Sequence, residues 1–490
     1  MPTVIYNTFY PWIKQDNYLV GQSSLIDAKN MDWLKDWQWI TLWPKINKTF
    51  ISNSPIRAID AEQLSNEDLN RSIAGWDNGE IYKLNSSDNT PVYTITWQNI
   101  VHIDTLWLDY IIFTKASLNN AIISIYKIAV FDLQSWNYAS LSSPLLPSAL
   151  SHYWCPPTLV VGSDMFIWGN DQIKKFDWTT ITDTYTFPDD YVNWLTLQGS
   201  TIWVYTRSWN TYNWDWWSTI ESARWYVWAR VDKVVSLNGV DYQTTEDWQL
   251  KKWLYNQFIR LFKPKTSFRL EDNSQLQRKL DFAIDDPDSL QNRTSISALD
   301  DLYFYTKDSV KGIYKYWNII PWTAQGIHKI ITQNHEWTQI DFIYDMYFYE
   351  RTARKLYFSY KAWATYWVDY IDLDDLESCN NWYAITQVFT WWTSFKKELN
   401  VVRISVSNVD STNTAKLYYR INNQEWILLR TINNTTDDIY NRQNISKEAD
   451  WIPFSKFIDI QFKIELESSN NDNTPPTLNE LMIDYNIIET

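Results

Sequence analysis

Four histidines, two cysteines and several paired aspartates are the residues of this 490-residue chain best suited to reactive chemistry. His102, His152, His328 and His335 form no HExxH pair, and His328 and His335, seven apart, have no neighbouring ligand pattern. Lone imidazoles of this kind are predicted to be satisfied structural groups. Cys155 and Cys379 stand far apart and match neither a zinc spacing nor a disulfide framework, so they are predicted to be core or incidental thiols. Acid pairs occur at Asp285-Asp286, Asp300-Asp301, Asp374-Asp375 and Asp437-Asp438. A glycosidase needs two carboxylates at a set separation across a sugar, but aspartate is favoured in turns for local reasons as well.

Phosphate-binding loops, dinucleotide fingerprints, nucleophile elbows and calcium loops are all missing from the sequence. Asn213 to Ser218 comes nearest to a calcium loop and lacks its terminal glutamate. The repeated Ser-x-Asp-x-Gly-x-x-Trp box of sialidase-type propellers is also missing. The sequence therefore assigns no catalytic, cofactor-binding or metal-binding residue, expects no cofactor, and does not predict an enzyme.

A compositional anomaly is more informative: 32 tryptophans against 9 glycines. Soluble domains carry about 7% glycine, which the two residue types together approach. Tryptophan also stands where turns want glycine. Asp-Trp occurs at Trp33, Trp37, Trp178, Trp216, Trp248 and Trp451, and Asn-Trp at Trp194, Trp214 and Trp382. Asp-Gly and Asn-Gly are strong turn dipeptides because type I′ turns need positive φ, a conformation that hinders a bulky side chain. Most of these tryptophans are read as UGA codons that the source decodes as glycine. A stacking protein truly rich in tryptophan is the alternative, but it would not strip the whole chain of glycine. The reading predicts that most tryptophans, Trp33, Trp37, Trp178, Trp216 and Trp248 above all, sit exposed in turns and strand ends.

The formal charge of −15 disfavours nucleic acid or an anionic membrane as partner. No secretory leader is visible at Met1 to Tyr6, and no run reaches the ~18 apolar residues of a spanning helix. The expectation is a soluble protein made in the cytoplasm.

The elements that must position these residues are strands. Helical periodicity is nearly absent, and short runs of Ile, Val, Tyr, Phe and Thr alternate with turn clusters. Two phrases recur. One is an aromatic strand at 110–114, 165–167, 201–206, 302–306 and 356–360; the other is an Ile-Tyr-Lys-like strand at 81–84, 125–128, 173–176 and 313–316. The second phrase starts at 81, 125, 173 and 313, a rhythm of about 47 residues, the span of a four-stranded propeller blade. The prediction is all-β: a six- to seven-bladed β-propeller over 51–395, then a C-terminal antiparallel β-sandwich over 396–490. Strands of the sandwich are expected at 401–406, 415–420, 427–430, 457–464 and 481–485. Residues 1–50 read as a turn-rich arm that adds a closing strand to the ring or reaches a neighbour.

In layout the chain resembles β-propeller structural proteins of tailed bacteriophages and prophages. The resemblance rests on the turn-rich segment from Ala28 to Pro44 and on Leu302 to Thr306 followed by Gly312-Ile313-Tyr314-Lys315-Tyr316. Its most specific part is Thr474-Pro475-Pro476-Thr477-Leu478-Asn479-Glu480-Leu481-Met482-Ile483-Asp484-Tyr485. It implies a non-enzymatic virion component near the tail or head–tail region, docked on other virion proteins, with an oligomeric ring as one arrangement, and assembled in the host cytoplasm. A phage of a host that reads UGA as glycine shares that code. A carbohydrate- or receptor-binding propeller, with a host surface glycan as partner, is the alternative; a propeller glycosidase or lyase is a third reading.

Overall fold

The computed structural model describes residues 3–6, 10–13, 24–29, 31–33, 40–42, 46–52, 54–61, 72–76, 78–84, 90–106, 109–116, 124–129, 139–141, 158–169, 172–177, 180–187, 192–198, 200–206, 211–215, 231–237, 240–245, 250–254, 257–262, 296–298, 302–306, 312–317, 326–331, 334–336, 338–349, 355–373, 381–386, 396–421, 424–433, 442–446, 457–468 and 475–488. Among them every regular element is a strand, and no helix is long and apolar enough to cross a membrane. The chain folds as two compact units: Asn47–Lys311 with Gln333–Asp372, and Met1–Ile46 with Gly312–Thr332 and Leu373–Thr490.

Strands are numbered in chain order. The first five, β1 (Thr3–Tyr6), β2 (Tyr10–Ile13), β3 (Ser24–Lys29), β4 (Met31–Trp33) and β5 (Ile40–Leu42), belong to the second unit. The first unit runs from β6 (Ile46–Ser52) through a series of antiparallel meanders. These are β7 (Ile56–Ala61) to β8 (Ser72–Trp76), β9 (Glu80–Lys83) and β10 (Tyr93–Thr94); then β11 (Asn99–Leu106) to β12 (Asp109–Lys115), β13 (Ser124–Ala129) and β14 (Ala139–Leu141). Next come β15 (Thr158–Val161) to β16 (Asp164–Gly169), β17 (Gln172–Phe176) and β18 (Ile181–Thr186); then β19 (Val192–Gln198) to β20 (Thr201–Thr206) and β21 (Thr211–Trp214). A fifth runs from β22 (Val231–Leu237) to β23 (Val240–Thr245), β24 (Leu250–Leu254) and β25 (Gln257–Phe262). After it come the pair β26 (Ile296–Ala298) and β27 (Leu302–Thr306), and the last meander, β30 (Phe342–Tyr349), β31 (Lys355–Ala362) and β32 (Thr365–Asp372). The fourth strand of that last sheet is β6, hydrogen-bonded to β32 from the far end of the unit.

The two recurring sequence phrases have fixed places in this scheme. The aromatic phrase is the second strand of its meander, as in β12, β16, β20 and β31, and the Ile-Tyr-Lys phrase is the third, as in β9, β13 and β17. The second strand is central and buried on both faces, hence β12 is buried along its whole length. The lysine of the third strand has a local purpose. Lys127 Nζ lies 2.9 Å from Asp109 Oδ2 and Lys175 Nζ 2.7 Å from Asp164 Oδ2, each aspartate opening the second strand of its own meander.

The first strand β11 carries one apolar side to the sheet before it and another to the sheet after it. In β11 a bulge between Ile100 and His102 puts Ile100 and Ile103 against Ala58 and Ile81, while Val101 and Leu106 pack with Met165, Ile167 and Phe176. The same bulge recurs near the start of β7, β19, β22 and β30. Bulges bend a strand and raise its twist, so one device repeats along the chain. Further cores join the third sheet to the fourth, around Trp168, Phe187, Ile202 and Trp214, and the last to the first, where Tyr357 and Val368 meet Ile56, Ile59 and Tyr82. Each such side chain, fully buried, stabilises by about 1.5–3 kcal/mol. The first strands β7, β11, β15, β19, β22, β26 and β30 are thus consecutive neighbours, and β30 returns to β7.

In the second unit, β28 (Gly312–Trp317) pairs antiparallel with β29 (Gly326–Ile331), and β2 lies parallel to both β29 and β3. The sheet continues through β33 (Asn381–Thr386), β38 (Ile460–Ser468), β35 (Asn413–Ile421) and β36 (Ile427–Ile432). The other sheet is β37 (Arg442–Ser446), β34 (Lys397–Ser407), β39 (Thr477–Ile487), β5 and β4, with β1 also on β39. One core joins them: Val402, Ile404, Leu481 and Ile483 from the second sheet, Leu417, Tyr419, Phe462 and Ile464 from the first. The described pairs among β34 to β39 are all antiparallel, and the parallel pairs are those of β2 with β29 and β3. β2 and β3 insert between strands from much later in the chain.

Of the tryptophans whose side chains are described, Trp97 and Trp363 are exposed, Trp203 and Trp426 are half-buried, and Trp168, Trp214 and Trp367 are buried. The expectation of exposure is met by the first pair and fails for the last three. Trp37, Trp178, Trp216 and Trp248 lie outside the described residues, and Trp33 lies on β4.

Candidate functional site

Polar groups on neighbouring first strands form a chain of bonds. Asp60 of β7 and Asp104 of β11 project toward the next meander in the series because alternate strand residues share a face. Thr105 Oγ1 donates to Asp60 Oδ2 at 2.7 Å, and the Thr158 hydroxyl of β15 donates to Asp104 Oδ2. Across the last and first meanders, the Ile59 amide donates to Asp345 Oδ2 at 3.0 Å. His102 Nε2 lies 2.9 Å from the same Thr158 oxygen. A threonine hydroxyl has one proton. With that proton on Asp104, the histidine nitrogen is the donor, so the imidazole cannot serve as base to this hydroxyl. His–Thr–Asp here fastens strands; it does not activate a nucleophile.

A second cluster lies on the last meander. Asn334 Oδ1 accepts from the amides of Glu336 at 3.0 Å and Thr338 at 2.8 Å, a side-chain-capped turn that sets His335 over β32. His335 Nδ1 lies 2.7 Å from Asp369 Oδ2, the oxygen to which the Tyr360 hydroxyl donates at 2.6 Å. The Trp367 ring meets the imidazole edge-on at 5.0 Å, with Lys48 Nζ 5.2 Å from the Trp367 centroid. Asp369 is fully buried. Burial pushes its carboxyl above the usual carboxylate range, against the opposing pull of the His335 and Tyr360 bonds. Burial also raises the Tyr360 phenol, as does the adjacent Asp369 charge. An aspartate holding a histidine by Nδ1 is the orienting half of a nucleophilic triad. His335 Nε2 has no hydrogen-bond partner among the described residues, and Glu336 Oε1 stands 3.7 Å from it.

The second unit presents a ladder on the outward side of β35 and β38. Lys416 Nζ bonds both oxygens of Glu467 at 2.6 and 2.7 Å, Lys463 bonds Glu465 at 2.7 Å, and Arg420 bonds Gln461 at 2.6 Å. Lys463 stands 4.4 Å from the Tyr418 ring centroid, and Arg420 4.6 Å from that of Trp426. Burial first, then the Glu465 bond, raises the Tyr418 phenol to about 12. On β36, at the end of that sheet's strand order, Ile427 and Leu428 are exposed.

Of the residues singled out in the sequence, His102 Nε2 lies beside the Thr158 hydroxyl, and His335 is held at Nδ1 by Asp369 but has no hydrogen-bond partner at Nε2 among the described residues. His328 lies on β29. His152, Cys155, Cys379 and all four acid pairs lie outside the described residues, as do Trp216 to Ser218 of the segment nearest a calcium loop. Among the described residues no three His, Cys, Asp or Glu gather as metal ligands do. Sequence reasoning missed Asp369 and Tyr360, which carry no motif and meet His335 only through strand pairing.

No protein-family model and no curated protein matches the chain. Among solved structures it is similar to the extracellular domain of a hybrid two component system, BT4673 from B. thetaiotaomicron (11% identity, TM-score 0.45, 67% of this chain and 40% of that one). It is also similar to YCF48 from Cyanidioschyzon merolae (8% identity, TM-score 0.41, 67% and 98% covered) and to Saccharomyces cerevisiae Sqt1 (9% identity, TM-score 0.40, 67% and 99% covered). Likenesses this slight say nothing of function.

Proposed function

We propose that this chain is a non-enzymatic protein-docking scaffold of a tailed-phage or prophage particle, built as a seven-bladed β-propeller with a C-terminal β-sandwich. The observation that carries the scaffold reading is the circuit of seven neighbouring first strands, from β7 round to β30 and back, with β6 completing the last sheet. A sheet series that closes on itself leaves few open edges and holds its surfaces in fixed positions, which suits multivalent docking. The cation–aromatic ladder of Lys416, Tyr418, Arg420 and Lys463 beside exposed Ile427 and Leu428 is a surface of the composition that protein interfaces favour. The particle assignment rests on the sequence phrase from Thr474 to Tyr485.

The test is co-expression with the products of the genes flanking its own, followed by size-exclusion chromatography. Co-elution of a stoichiometric assembly supports the scaffold. A chain that stays monomeric beside every one of those products contradicts it.

A further inference from the structure

Positive φ is rare outside glycine, and for a bulky residue it is an outlier. Among the described residues, the only non-glycine residues with positive φ are Trp97 (63°), Trp363 (58°) and Asn408 (58°), beside Gly79 (77°) and Gly162 (64°). Asparagine tolerates this region because its short side chain bonds locally. Tryptophan has no such reason to be there.

The two turns specify glycine on independent grounds. Ala362 pairs with Thr365, which leaves Trp363-Ala364 as a two-residue hairpin loop with positive φ at its first position. That is the type II′ pattern, which takes glycine there. The hairpin between β15 and β16 has the same form: Val161 pairs with Asp164 around Gly162-Ser163, and Gly162 holds φ of 64° at the matching position. Trp363 therefore stands where a sibling hairpin of the same chain has glycine. Trp97 is the third residue of the turn Ile95 to Gln98, closed by the Gln98 amide on the Ile95 carbonyl at 3.2 Å. Positive φ at that position defines a type II turn, again a glycine site. Neither side chain packs: Trp97 is 87% exposed and Trp363 81%.

The buried tryptophans form the opposite class. Trp168 is wholly inaccessible, Trp214 meets Phe166 edge-on at 5.4 Å, and Trp367 meets His335. Their removal would leave cavities. The indole is integral at these three and idle at the other two.

We infer that the protein made in its source carries glycine at positions 97 and 363 and tryptophan at 168, 214 and 367, so that two codon meanings have been merged into one letter. UGA read as glycine for the first pair and UGG for the other three accounts for both.

Two measurements test this. Peptide mass spectrometry of the protein purified from its source reads the residue directly, since each Trp→Gly exchange lightens a peptide by one indolylmethyl group. Glycine at 97 and 363 with tryptophan at 168, 214 and 367 is expected; tryptophan at 97 or 363, or glycine at any of the other three, overturns the inference. In the chain carrying tryptophan at both positions, W97G and W363G are each expected to raise the folded-to-unfolded ratio about 5- to 30-fold, because a left-handed non-glycine residue is strained by roughly 1–2 kcal/mol. W168G is expected to lower it. Destabilisation by W97G and W363G contradicts the inference even if the source protein cannot be obtained.

Discussion

Asp369 is buried with Tyr360 and His335 on one oxygen and, among the described residues, no hydrogen-bond partner on the other. Because burial raises its carboxyl, the folded chain holds that proton more tightly than the unfolded chain does. The protonated acid's contribution to stability is complete below the ordinary value of 3.8 and is lost as pH climbs through the higher folded value. Urea unfolding of the parent and of Asp369→Asn at a series of pH values from 3.5 to 7, chosen to cover about three units above a normal aspartate, is expected to show the parent's advantage shrinking as pH rises. A gap that stays constant with pH would contradict the raised carboxyl. Glycines differ at the same scale. A Cβ on Gly79 would stand 2.2 Å from the Ile95 carbonyl oxygen, whereas one on Gly162 meets nothing within 4 Å, though both hold positive φ. Gly162→Ala is therefore expected to cost about 1 kcal/mol from backbone strain alone, and Gly79→Ala more than twice that, since it must also displace backbone. Thermal melts of the two variants check the order.

At the scale of elements, the strands at 201–206 and 302–306 are legible residue for residue as β20 and β27, and those at 110–114 and 356–360 lie inside β12 and β31. Central strands are buried on both faces, so their apolar runs stand out in any sequence. The 47-residue rhythm is visible for the same reason, because the Ile-Tyr-Lys phrase is a third strand wherever it falls within a meander. Edge and inserted strands are another matter. β1 and β5 pair with β39, β2 with β29 and β3 with β33, hundreds of residues away, through backbone bonds that leave no mark on side-chain pattern. The expected strand at 457–464 begins instead at Ile460, since Phe457 makes only an isolated bridge to Lys397. The candidate site was less legible than the fold. His102 and His335 could be named, but Thr158, 56 residues from His102, and Asp369, 34 residues from His335, gain meaning only from strand pairing, and Asp104 and Tyr360 only through them.

At the scale of the whole molecule, β6 deserves the closest test, since it completes the last sheet from the opposite end of its unit. Successive strand amides point to opposite sides, and among the described strands β6 is an edge strand paired to β32. Of Lys48→Pro and Thr49→Pro, one therefore removes an amide facing β32 and the other an amide facing away. One variant is expected to lose about 1–3 kcal/mol, the cost of a broken ladder bond, and to unfold less cooperatively, while its neighbour loses little; equal and small losses in both would mean that β6 closes nothing. The surfaces that such closure holds in place are what the docking proposal needs, and its most direct measurement is compositional. In density-gradient-purified particles from the source, quantitative mass spectrometry is expected to find this chain in constant ratio to the other particle proteins across the peak. Particles that contain no peptide of it would contradict the proposal.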